Sequence, residues 1–449
     1  MGTIFGTIFA FAIVFGILVF IHEFGHFFAA KLVKIKVEVF SWGYGKRLFG
    51  IKKGGTDYRV SILPMGGYVK FAGEEVDQEA PKQKVEFRPG DFLAKNRLQR
   101  FLVMVMGSLM NILLAVVLLA VIHMAGVTVF EFLDQEPVIG WIEPGSPAER
   151  TDLQIGDEIL SINKRKTKTW NDVILSVSTK PNRLINLEIK RGKDIFTVQL
   201  KTESQTKYER GYAGFTGIIL NRIVQVFPDS PAEKAGVRVG DVILAINGES
   251  VHFYFQKLEI IEENPGKELK FLIDREGETL TLPITPRLEE EVGRIGIVRE
   301  QKTIFKKYGF FSAFGQSIKG NVKLAFVLMN YVRDLLTGEA SAKQVGGPIA
   351  IVNLSYSAFR MGFFAMLSFM AFVSLQLGII NLFPIPVFDG GQILVLTLEG
   401  MFRRDFSLKV KHIVMQIGFV IFIFLLGFLI LNDIVRNLPN GWESLLFWK

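Results

Sequence analysis

Four segments of the chain are apolar over lengths that can cross a lipid bilayer. They occupy about residues 3–30, 101–127, 363–383 and 413–431. A helix needs about 20 predominantly apolar residues to cross roughly 30 Å of hydrocarbon, so the pattern predicts four transmembrane helices. A fifth apolar stretch, at residues 310–332, carries Lys319, Lys323 and, just beyond it, Arg333. Such spaced charges favour an amphipathic helix on the membrane surface.

The long segment between the second and third spans contains an internal repeat. The sequences PGSPAE and GDEILSIN, which start at Pro144 and Gly156, recur 84 residues later as PDSPAE and GDVILAIN. Ser-Pro-Ala-Glu is typical of a helix start, with Ser as the N-cap and Pro in the first turn. Each unit then continues into apolar alternation typical of strands, at residues 184–189, 196–200, 269–273 and 280–284. The repeat predicts two small α+β domains in tandem.

Residues 57–70 show strand-like alternation on both sides of a turn signal. The sequence DYRVSILPMGGYVK consists of two such runs joined at Pro-Met-Gly-Gly, which predicts a β-hairpin between the first two spans. One interpretation is an ordinary hairpin. The other is a hairpin beside an active site, with an edge at Val60 and Ile62 that pairs with an extended peptide.

Basic residues predict the orientation of the spans. Fifteen Lys and Arg lie between residues 31 and 100, and the loop at 387–412 adds Arg403, Arg404, Lys409 and Lys411. The positive-inside rule places both loops in the cytoplasm. Both termini and the segment 128–360 are then expected outside; that segment is also basic, but long domains translocate regardless of charge.

The composition supports a membrane protein and restricts its chemistry. The chain is 49% hydrophobic, with a mean hydropathy of +0.32 and a formal net charge of +8. No compact basic stripe with interleaved aromatic residues is present, so we expect no nucleic-acid partner. Cysteine is absent, so any metal must be bound by His, Asp or Glu. The first apolar run has no basic n-region, and we interpret it as a retained span rather than a signal peptide.

The first span carries the motif His-Glu-x-x-His. His22 and His26 are four residues apart and therefore project from one face of a helix, where both imidazoles can bind one Zn²⁺ while Glu23 acts as general base. Ionisable side chains inside a bilayer are costly and mark functional sites. The motif therefore predicts peptide hydrolysis within the membrane.

A catalytic zinc site usually has three protein ligands, and a carboxylate is the best third candidate. The sequence NLFPIPVFDGG places Asp389 at the end of the third span, on the same side of the membrane as His22. Its prolines and glycines predict irregular backbone, which is tolerated at membrane depth only inside protein or beside a cavity. The alternative is a turn Asp before Gly-Gly. The other histidines are poorer candidates: His123, His252 and His412.

These motifs together carry a family resemblance. HEFGH in a first span, followed by N-x-x-P-x-P-x-x-D-G-G at the end of a later one, resembles the site-2 proteases, which are intramembrane zinc metallopeptidases. Two PDZ-like repeats between the second and third spans resemble a bacterial branch of that family over nearly the whole chain. The segment around Gly43 and Gly45 is similar to the family's Gly-x-Gly region, residues 58–70 to its membrane-reentrant β-loop, and residues 107–111 to the motif of its second span. One departure is Phe388, where the family commonly has Leu.

The resemblance implies roles for individual residues. One Zn²⁺ per chain would be held by His22, His26 and Asp389, with Glu23 activating the bound water. Substrate would be bound by residues of the later motif and of the β-loop region: Asn381, Pro384, Pro386, Gly43, Gly45, Val60 and Ile62.

The resemblance also implies an architecture and a setting. We expect a multi-pass α-helical membrane protein with four transmembrane helices, a membrane-associated β-hairpin and two tandem periplasmic α+β PDZ-like domains, in the bacterial inner membrane. The expected substrates are single-span membrane proteins, such as an anti-sigma factor trimmed by another protease, and remnant signal peptides, in regulated intramembrane proteolysis and envelope stress signalling. The expected parts are a first membrane half at 1–127, PDZ-like domains at 128–215 and 216–290, a linker with a surface helix at 291–340, and a second membrane half at 341–449.

Two other classes of protein would share some of these features. A catalytically inactive scaffold would bind partners through its PDZ-like repeats but would have no need of Glu23. A zinc transporter would carry more polar residues at the centre of several spans than this chain does. Within the protease interpretation, the repeats would either exclude large substrates or capture cleaved tails, and both alternatives stay open.

Overall fold

The structure is a computed structural model that describes residues 2–74, 88–205, 210–217, 221–251, 259–289, 292–300 and 303–437. The chain divides into two compact units. Unit 1 comprises residues 1–126, 307–333 and 345–449, and unit 2 comprises residues 127–306 and 334–344. Unit 1 is mainly helical, and unit 2 is mainly built of strands.

The described residues form ten α-helices. In chain order they are α1 (Gly2–Leu32), α2 (Arg97–Ala125), α3 (Trp170–Ser178), α4 (Pro231–Lys234), α5 (Glu259–Glu262), α6 (Phe310–Leu336), α7 (Pro348–Met361), α8 (Phe363–Asn381), α9 (Asp389–Met401) and α10 (Leu408–Asn437).

The same residues form twenty strands. They are β1 (Val37–Lys53), β2 (Thr56–Phe71), β3 (Val127–Phe130), β4 (Trp141–Ile142), β5 (Glu158–Ile162), β6 (Arg165–Lys166), β7 (Leu184–Arg191), β8 (Asp194–Lys201), β9 (Glu203–Gln205), β10 (Arg210–Tyr212), β11 (Phe215–Thr216), β12 (Asn221–Val226), β13 (Val242–Ile246), β14 (Glu249–Ser250), β15 (Leu269–Arg275), β16 (Glu278–Ile284), β17 (Arg287–Glu289), β18 (Val292–Arg294), β19 (Ile297–Glu300) and β20 (Thr303–Lys306).

Four of the described helices are long and apolar enough to cross a membrane. They are Phe5–Leu32 within α1, Arg97–Ala125 (α2), Phe363–Asn381 (α8) and Lys409–Val435 within α10. The prediction of four such segments is confirmed. The pattern did not predict two shorter helices, α7 and α9, that lie between them. α7 begins at Pro348, and the buried carboxylate of Asp433 in α10 accepts hydrogen bonds from the N–H groups of Gly347 and Ala350.

Glycines allow the helices of unit 1 to approach one another closely. A Cβ placed on Gly25 of α1 would overlap the backbone at Met106 and Gly107 of α2. A Cβ on Gly378 of α8 would lie 2.9 Å from the carbonyl oxygen of Ser108. Such small residues let helix backbones pack tightly in membrane proteins, where no hydrophobic effect drives helices together. α2 is therefore the central helix, in close contact with both α1 and α8.

The strands β1 and β2 form a sheet of four short segments, because each strand bends back on itself. We name them segment a (37–42), segment b (47–53), segment c (56–61) and segment d (67–71). Trp42 of segment a is paired with both Gly67 of segment d and Val60 of segment c, and Val60 is also paired with Phe49 of segment b. The order across the sheet is therefore d, a, c, b. Segments d and b form its two edges.

The predicted hairpin within residues 57–70 is wrong in its pairing. Both predicted runs are extended, but they do not pair with each other, because segment a lies between segments c and d. Val60 is consequently an interior position of the sheet, and its backbone offers no free edge to a peptide. Sequence alternation predicts that a run is extended, but it does not specify the neighbouring strand.

α6 forms where the sequence predicts a helix and begins beside the end of α2. The N–H of Tyr308 donates to the carbonyl of His123, and the hydroxyl of Ser317 donates to the carbonyl of Val116 at 2.6 Å. The first turns of α6 therefore follow α2 from its end toward its middle. Its location on a membrane surface stays a prediction.

Unit 2 contains two similar sheets that confirm the 84-residue repeat at the level of single hydrogen bonds. The first has the strand order β6-β5-β7-β8, and the second contains β16-β15-β13-β12-β19 with β14 beside β13. In the first, Arg191 donates to both carboxylate oxygens of Asp157 and to the carbonyl of Asp152. In the second, Arg275 makes the equivalent bonds to Asp241 and to the carbonyl of Gly236. All four predicted strand runs lie in these sheets, in β7, β8, β15 and β16.

The helix predicted at Ser-Pro-Ala-Glu forms in the second repeat only. There Ser230 caps α4, and the N–H of Ala235 reaches the carbonyl of Pro231 four residues back. In the first repeat the corresponding N–H of Thr151 bonds to Ala148, three residues back, and the Thr151 hydroxyl binds the same carbonyl. The first repeat therefore has a turn instead of a helix, and the Thr151 side chain adds a hydrogen bond that competes with helix formation.

The paired Asp–Arg bonds make unit 2 sensitive to acid. Burial alone would raise the pKa of Asp157 and of Asp241, but the guanidinium groups of Arg191 and Arg275 lower each pKa below its usual value. Because the folded-state pKa is depressed, this stabilisation is present above the unfolded-state pKa of about 3.9 and is lost as the pH falls through the folded-state value. We expect unfolding of unit 2, followed by fluorescence of the buried Trp170 in the full chain, to occur at lower temperature in acid.

The variant Asp157→Asn/Asp241→Asn tests the source of this acid sensitivity. It should be less stable than the wild type at neutral pH and should lose less stability on acidification. Asp194→Asn, which changes an exposed carboxylate, is the matched control and should behave like the wild type. An undiminished loss of stability in the double variant would contradict the assignment.

Candidate metal centre

Three predicted ligand residues converge in unit 1, although they come from opposite ends of the chain. The Nε2 atoms of His22 and His26 lie 3.2 Å apart. The Oδ2 atom of Asp389 lies 3.3 Å from the first and 3.4 Å from the second. Among the described residues, these three form the group whose ligand atoms all fall within 4.8 Å of one another. The site lies between the second half of α1, residues 103–108 of α2 and the junction of α8 with α9.

A backbone carbonyl fixes the tautomer of one imidazole. The Nδ1 of His26 donates to the carbonyl oxygen of Val103 at 2.8 Å, so its Nε2 atom keeps a lone pair directed at the centre. Hydrogen bonds of this kind orient metal-binding histidines. The Nδ1 of His22 is buried and has no hydrogen-bond partner among the described residues.

The carboxylate of Asp389 is positioned by the start of α9. Asp389 is the first residue of that helix, and a Cβ on either following glycine, Gly390 or Gly391, would overlap carbonyl groups of the preceding loop. The helix therefore packs against its own loop, as only glycine permits. The hydroxyl of Ser108 in α2 lies 3.4 Å from Oδ2 of Asp389 and donates to it.

Glu23 lies beside the three ligands and contacts the sheet. Its Oε2 atom accepts a hydrogen bond from the N–H of Val69 in segment d at 3.1 Å. A Cβ on Gly67, two residues earlier, would lie 3.7 Å from the Glu23 side chain. The edge of the sheet that faces the metal centre is therefore segment d.

The other predicted residues are divided between the site and its surroundings. Asn381, the last residue of α8, places its amide nitrogen 3.5 Å from Nε2 of His22. Pro384 lies in the loop between α8 and α9, and Pro386 of the same loop packs against Gly418 of α10. The remaining predicted residues lie in the sheet, and none has a described contact with the three ligands: Gly43, Gly45, Val60 and Ile62.

The histidines that the sequence disfavoured do not reach the centre in the described part of the chain. The ring of His123 stacks edge-to-face on Tyr308 at 5.4 Å between centroids. His412 is exposed on α10. His252 lies outside the described residues. Of the candidates for a third ligand that the structure describes, Asp389 is therefore the one that reaches the two histidines.

Two supporting features escaped the sequence reasoning. The carbonyl of Val103 carries no side-chain signal, so its bond to His26 cannot be read from the sequence. Gly107 belongs to the second-span motif at residues 107–111, for which the family resemblance implies no individual role. In the structure, a Cβ at this position would overlap the Nε2 and Cε1 atoms of His26. The small residue therefore leaves room for the imidazole.

The donor set suits a zinc ion. Two imidazole nitrogens and one carboxylate oxygen are a ligand set typical of catalytic zinc, which leaves a fourth position for water. The nearby carboxylate of Glu23 is not needed as a ligand and can accept a proton. The fold and the site together define a membrane-embedded metallohydrolase.

Comparison with known proteins gives the family. The chain belongs to peptidase family M50, whose sequence model matches residues 10–425. It is 31% identical over 461 residues to the "Protease RseP" of Yersinia pestis, covering 97% of this chain and 100% of that protein. It is likewise 31% identical over 450 residues to the "Regulator of sigma E protease" of Haemophilus influenzae, covering 96% and 99%.

A solved structure aligns with a smaller part of the chain. The PDZ domain of an SdrC-like protein from Listeria monocytogenes covers 18% of this chain and 86% of its own length at 20% identity, with a TM-score of 0.17.

Substitution of Gly107 tests the packing of the metal centre. We expect Gly107→Ala to weaken zinc binding about 10- to 100-fold, the range found when groups that orient a metal ligand are lost. The physical reason is that the new methyl group displaces the His26 imidazole. Zinc content after competition with a chelator measures the effect.

Gly427→Ala is the matched control for this substitution. Gly427 also lies in an apolar helix, α10, but a Cβ there meets no atom within 4 Å. This variant should retain zinc like the wild type. Unchanged zinc affinity in a folded Gly107→Ala protein would contradict the proposed geometry.

Proposed function

We propose that this chain is a zinc metallopeptidase that hydrolyses peptide bonds of single-span membrane proteins within the membrane. The observation that carries the proposal is the convergence of His22, His26 and Asp389 beside Glu23, with both histidines inside an apolar helix long enough to span a bilayer. Membership of peptidase family M50 supports the same reaction. Burying ionisable groups in an apolar helix is energetically costly, so their presence here favours a functional site over an incidental cluster.

The proposed mechanism assigns one task to each residue. His22, His26 and Asp389 would hold one Zn²⁺, which when bound lowers the pKa of water and polarises a carbonyl group. Glu23 would accept the proton of the attacking water and deliver it to the leaving amine. The Asn381 amide, 3.5 Å from His22, would donate to the substrate backbone or to the developing oxyanion.

We further propose the setting of the reaction. The basic loops support a metal centre toward the cytoplasmic side of the bacterial inner membrane, with both termini and unit 2 in the periplasm. Unit 2 would comprise two PDZ-like domains, one for each repeated sheet. They would either exclude substrates with bulky outer domains or capture cleaved tails. One relative is named a "Regulator of sigma E protease", which supports a role in sigma-E regulation. Within that role we propose an anti-sigma factor, trimmed first by another protease, as one substrate, and remnant signal peptides as a second class.

Segment d is the proposed edge for the substrate. A helical substrate must unwind before cleavage, and its freed backbone groups need new partners inside the membrane. In the part of the chain that the structure describes, residues 67–71 pair with segment a on one side only, and their other side faces Glu23. An added substrate strand would therefore lie next to the general base. This assignment replaces Val60 as the edge position.

The substitution Glu23→Gln tests the proposed chemistry. The amide has nearly the same shape as the carboxylate but cannot accept the proton, so we expect cleavage of a pre-trimmed single-span substrate to fall about 10²- to 10⁴-fold. Zinc content should stay at the wild-type level. Asp389→Ala, in contrast, should lose both zinc and cleavage. Wild-type cleavage by the Glu23→Gln protein would refute the assignment and leave a binding protein as the better alternative.

The substitution Val69→Pro tests the proposed edge. Proline lacks the N–H that Val69 presents to Glu23, yet it is tolerated on edge strands, so the sheet should persist. We expect kcat/KM to fall about tenfold, the value of one or two lost hydrogen bonds. Val69→Ala, which keeps the backbone donor, is the control and should remain close to the wild type. Equal activity of the two variants would exclude segment d as the substrate edge.

A further inference from the structure

The bend between segments a and b carries a tyrosine whose ring lies against the start of segment d. Tyr44 stacks on Tyr68, with ring centroids 6.0 Å apart and planes inclined by 12°. A Cβ on Gly66 would lie 2.5 Å from the Cε2 atom of Tyr44, so a larger residue at that position would overlap the ring. A glycine and a neighbouring aromatic ring therefore determine where the phenol of Tyr44 lies.

The hydroxyl of Tyr44 lies at the edge of the sheet that faces the metal centre. It accepts a hydrogen bond from the backbone N–H of Gly67, the first residue of segment d. Gly67 and Val69 are alternate residues of one strand, so their N–H groups point to the same side. The N–H of Val69 donates to Glu23 at 3.1 Å. The phenol and the proposed general base are therefore held by two backbone donors that lie about 7 Å apart along one edge.

The phenol of Tyr44 is a protonated donor that a peptide can reach. Burial and the negative charge of Glu23 raise the pKa of Tyr44, although the hydrogen bond from Gly67 lowers it. A raised pKa keeps the phenol protonated at neutral pH, and a phenol that accepts one hydrogen bond still has a proton to donate. Tyr44 is 45% exposed, so its hydroxyl is not enclosed by the protein. The site therefore contains a second polar side chain beside Glu23.

We propose that Tyr44 is a catalytic residue whose hydroxyl donates a hydrogen bond to the scissile carbonyl oxygen, an inference that rests on the proposed function. When water adds to the carbonyl carbon, Glu23 takes a proton from the water and the C=O electron pair moves onto the oxygen. The phenol stabilises this developing negative charge and keeps its own proton. The electron pair then returns, the C–N bond breaks, and Glu23 gives the proton to the leaving amine. Asn381 lies at the end of α8 beside His22, so α8 and the sheet each contribute one donor.

The substitution Tyr44→Phe tests the hydroxyl in the full-length protein. It keeps the ring that lies against Gly66 and Tyr68, so the sheet should persist and the zinc content should match the wild type. We expect kcat for a pre-trimmed single-span substrate to fall about 10- to 100-fold with little change in KM, the effect of losing one hydrogen bond to a charged group. Tyr58→Phe is the matched control, because it removes a hydroxyl from the same sheet at a ring that packs on Phe27. It should behave like the wild type.

A binding measurement separates this role from substrate binding and from turnover. The probe is a single-span peptide in which a phosphinate replaces the scissile amide, because that group has the tetrahedral shape and negative charge of the transition state. Tyr44→Phe should bind the phosphinate peptide about 10- to 100-fold more weakly than the wild type does. Affinity for the intact substrate, measured in the Glu23→Gln background to prevent cleavage, should be unchanged by Tyr44→Phe.

The outcomes distinguish this inference from the function on which it rests. Cleavage that is lost in Glu23→Gln but retained in Tyr44→Phe would overturn the role of the phenol and leave the peptidase assignment intact. An equal loss of affinity for the phosphinate peptide and for the intact substrate would make Tyr44 a binding residue and would also overturn the proposal. Loss of zinc from Tyr44→Phe would assign the residue a structural role instead. Absence of cleavage by the wild type would overturn both the inference and the proposed function.

Discussion

Everything in unit 1 depends on keeping ionisable groups satisfied at membrane depth. His22 and His26 sit in an apolar helix, where an isolated charge or an unpaired polar group costs several kcal/mol. The structure meets this cost by bringing Asp389 to within 3.4 Å of both imidazoles and by giving His26 the carbonyl of Val103. The partners come from different helices, so they can converge only if those helices cross closely.

The need for close helix crossings explains why glycine occupies several positions where it takes no part in the chemistry. Gly25 and Gly107 bring α1 onto α2, and Gly378 brings α8 onto the other side of α2. A larger side chain at Gly25 or Gly378 would separate the helices that carry the ligands, and one at Gly107 would also displace the His26 imidazole itself. The same solution recurs away from the site, where the buried carboxylate of Asp433 is satisfied by the free N–H groups at the start of α7. In unit 1, close helix packing is thus a condition for bringing the three ligand residues together.

The sequence predicted those parts of the molecule that follow from local patterns. Long apolar runs gave the four spanning helices, and the 84-residue repeat gave two similar sheets. Asp389 was expected at the depth of His22 because the loop motif ends the third span. The pairing of segment a between segments c and d was not predictable, since alternation gives each extended run several possible neighbours. The helices α7 and α9 were missed because their apolar residues merge with the flanking spans, and capping of α7 by Asp433 is a long-range contact.

The backbone N–H of Val69 connects the sheet to the proposed chemistry. The N–H of Val69 now bonds to Glu23, and it belongs to the one edge of the sheet that faces the metal centre. A peptide strand added to segment d would need backbone donors on that same edge, so substrate and Glu23 would compete for Val69. Pairing of the substrate would then release the carboxylate from the sheet at the moment when a scissile bond lies beside it. In the proposed arrangement, pairing of a peptide would direct the carboxylate of Glu23 away from the sheet and toward the scissile bond.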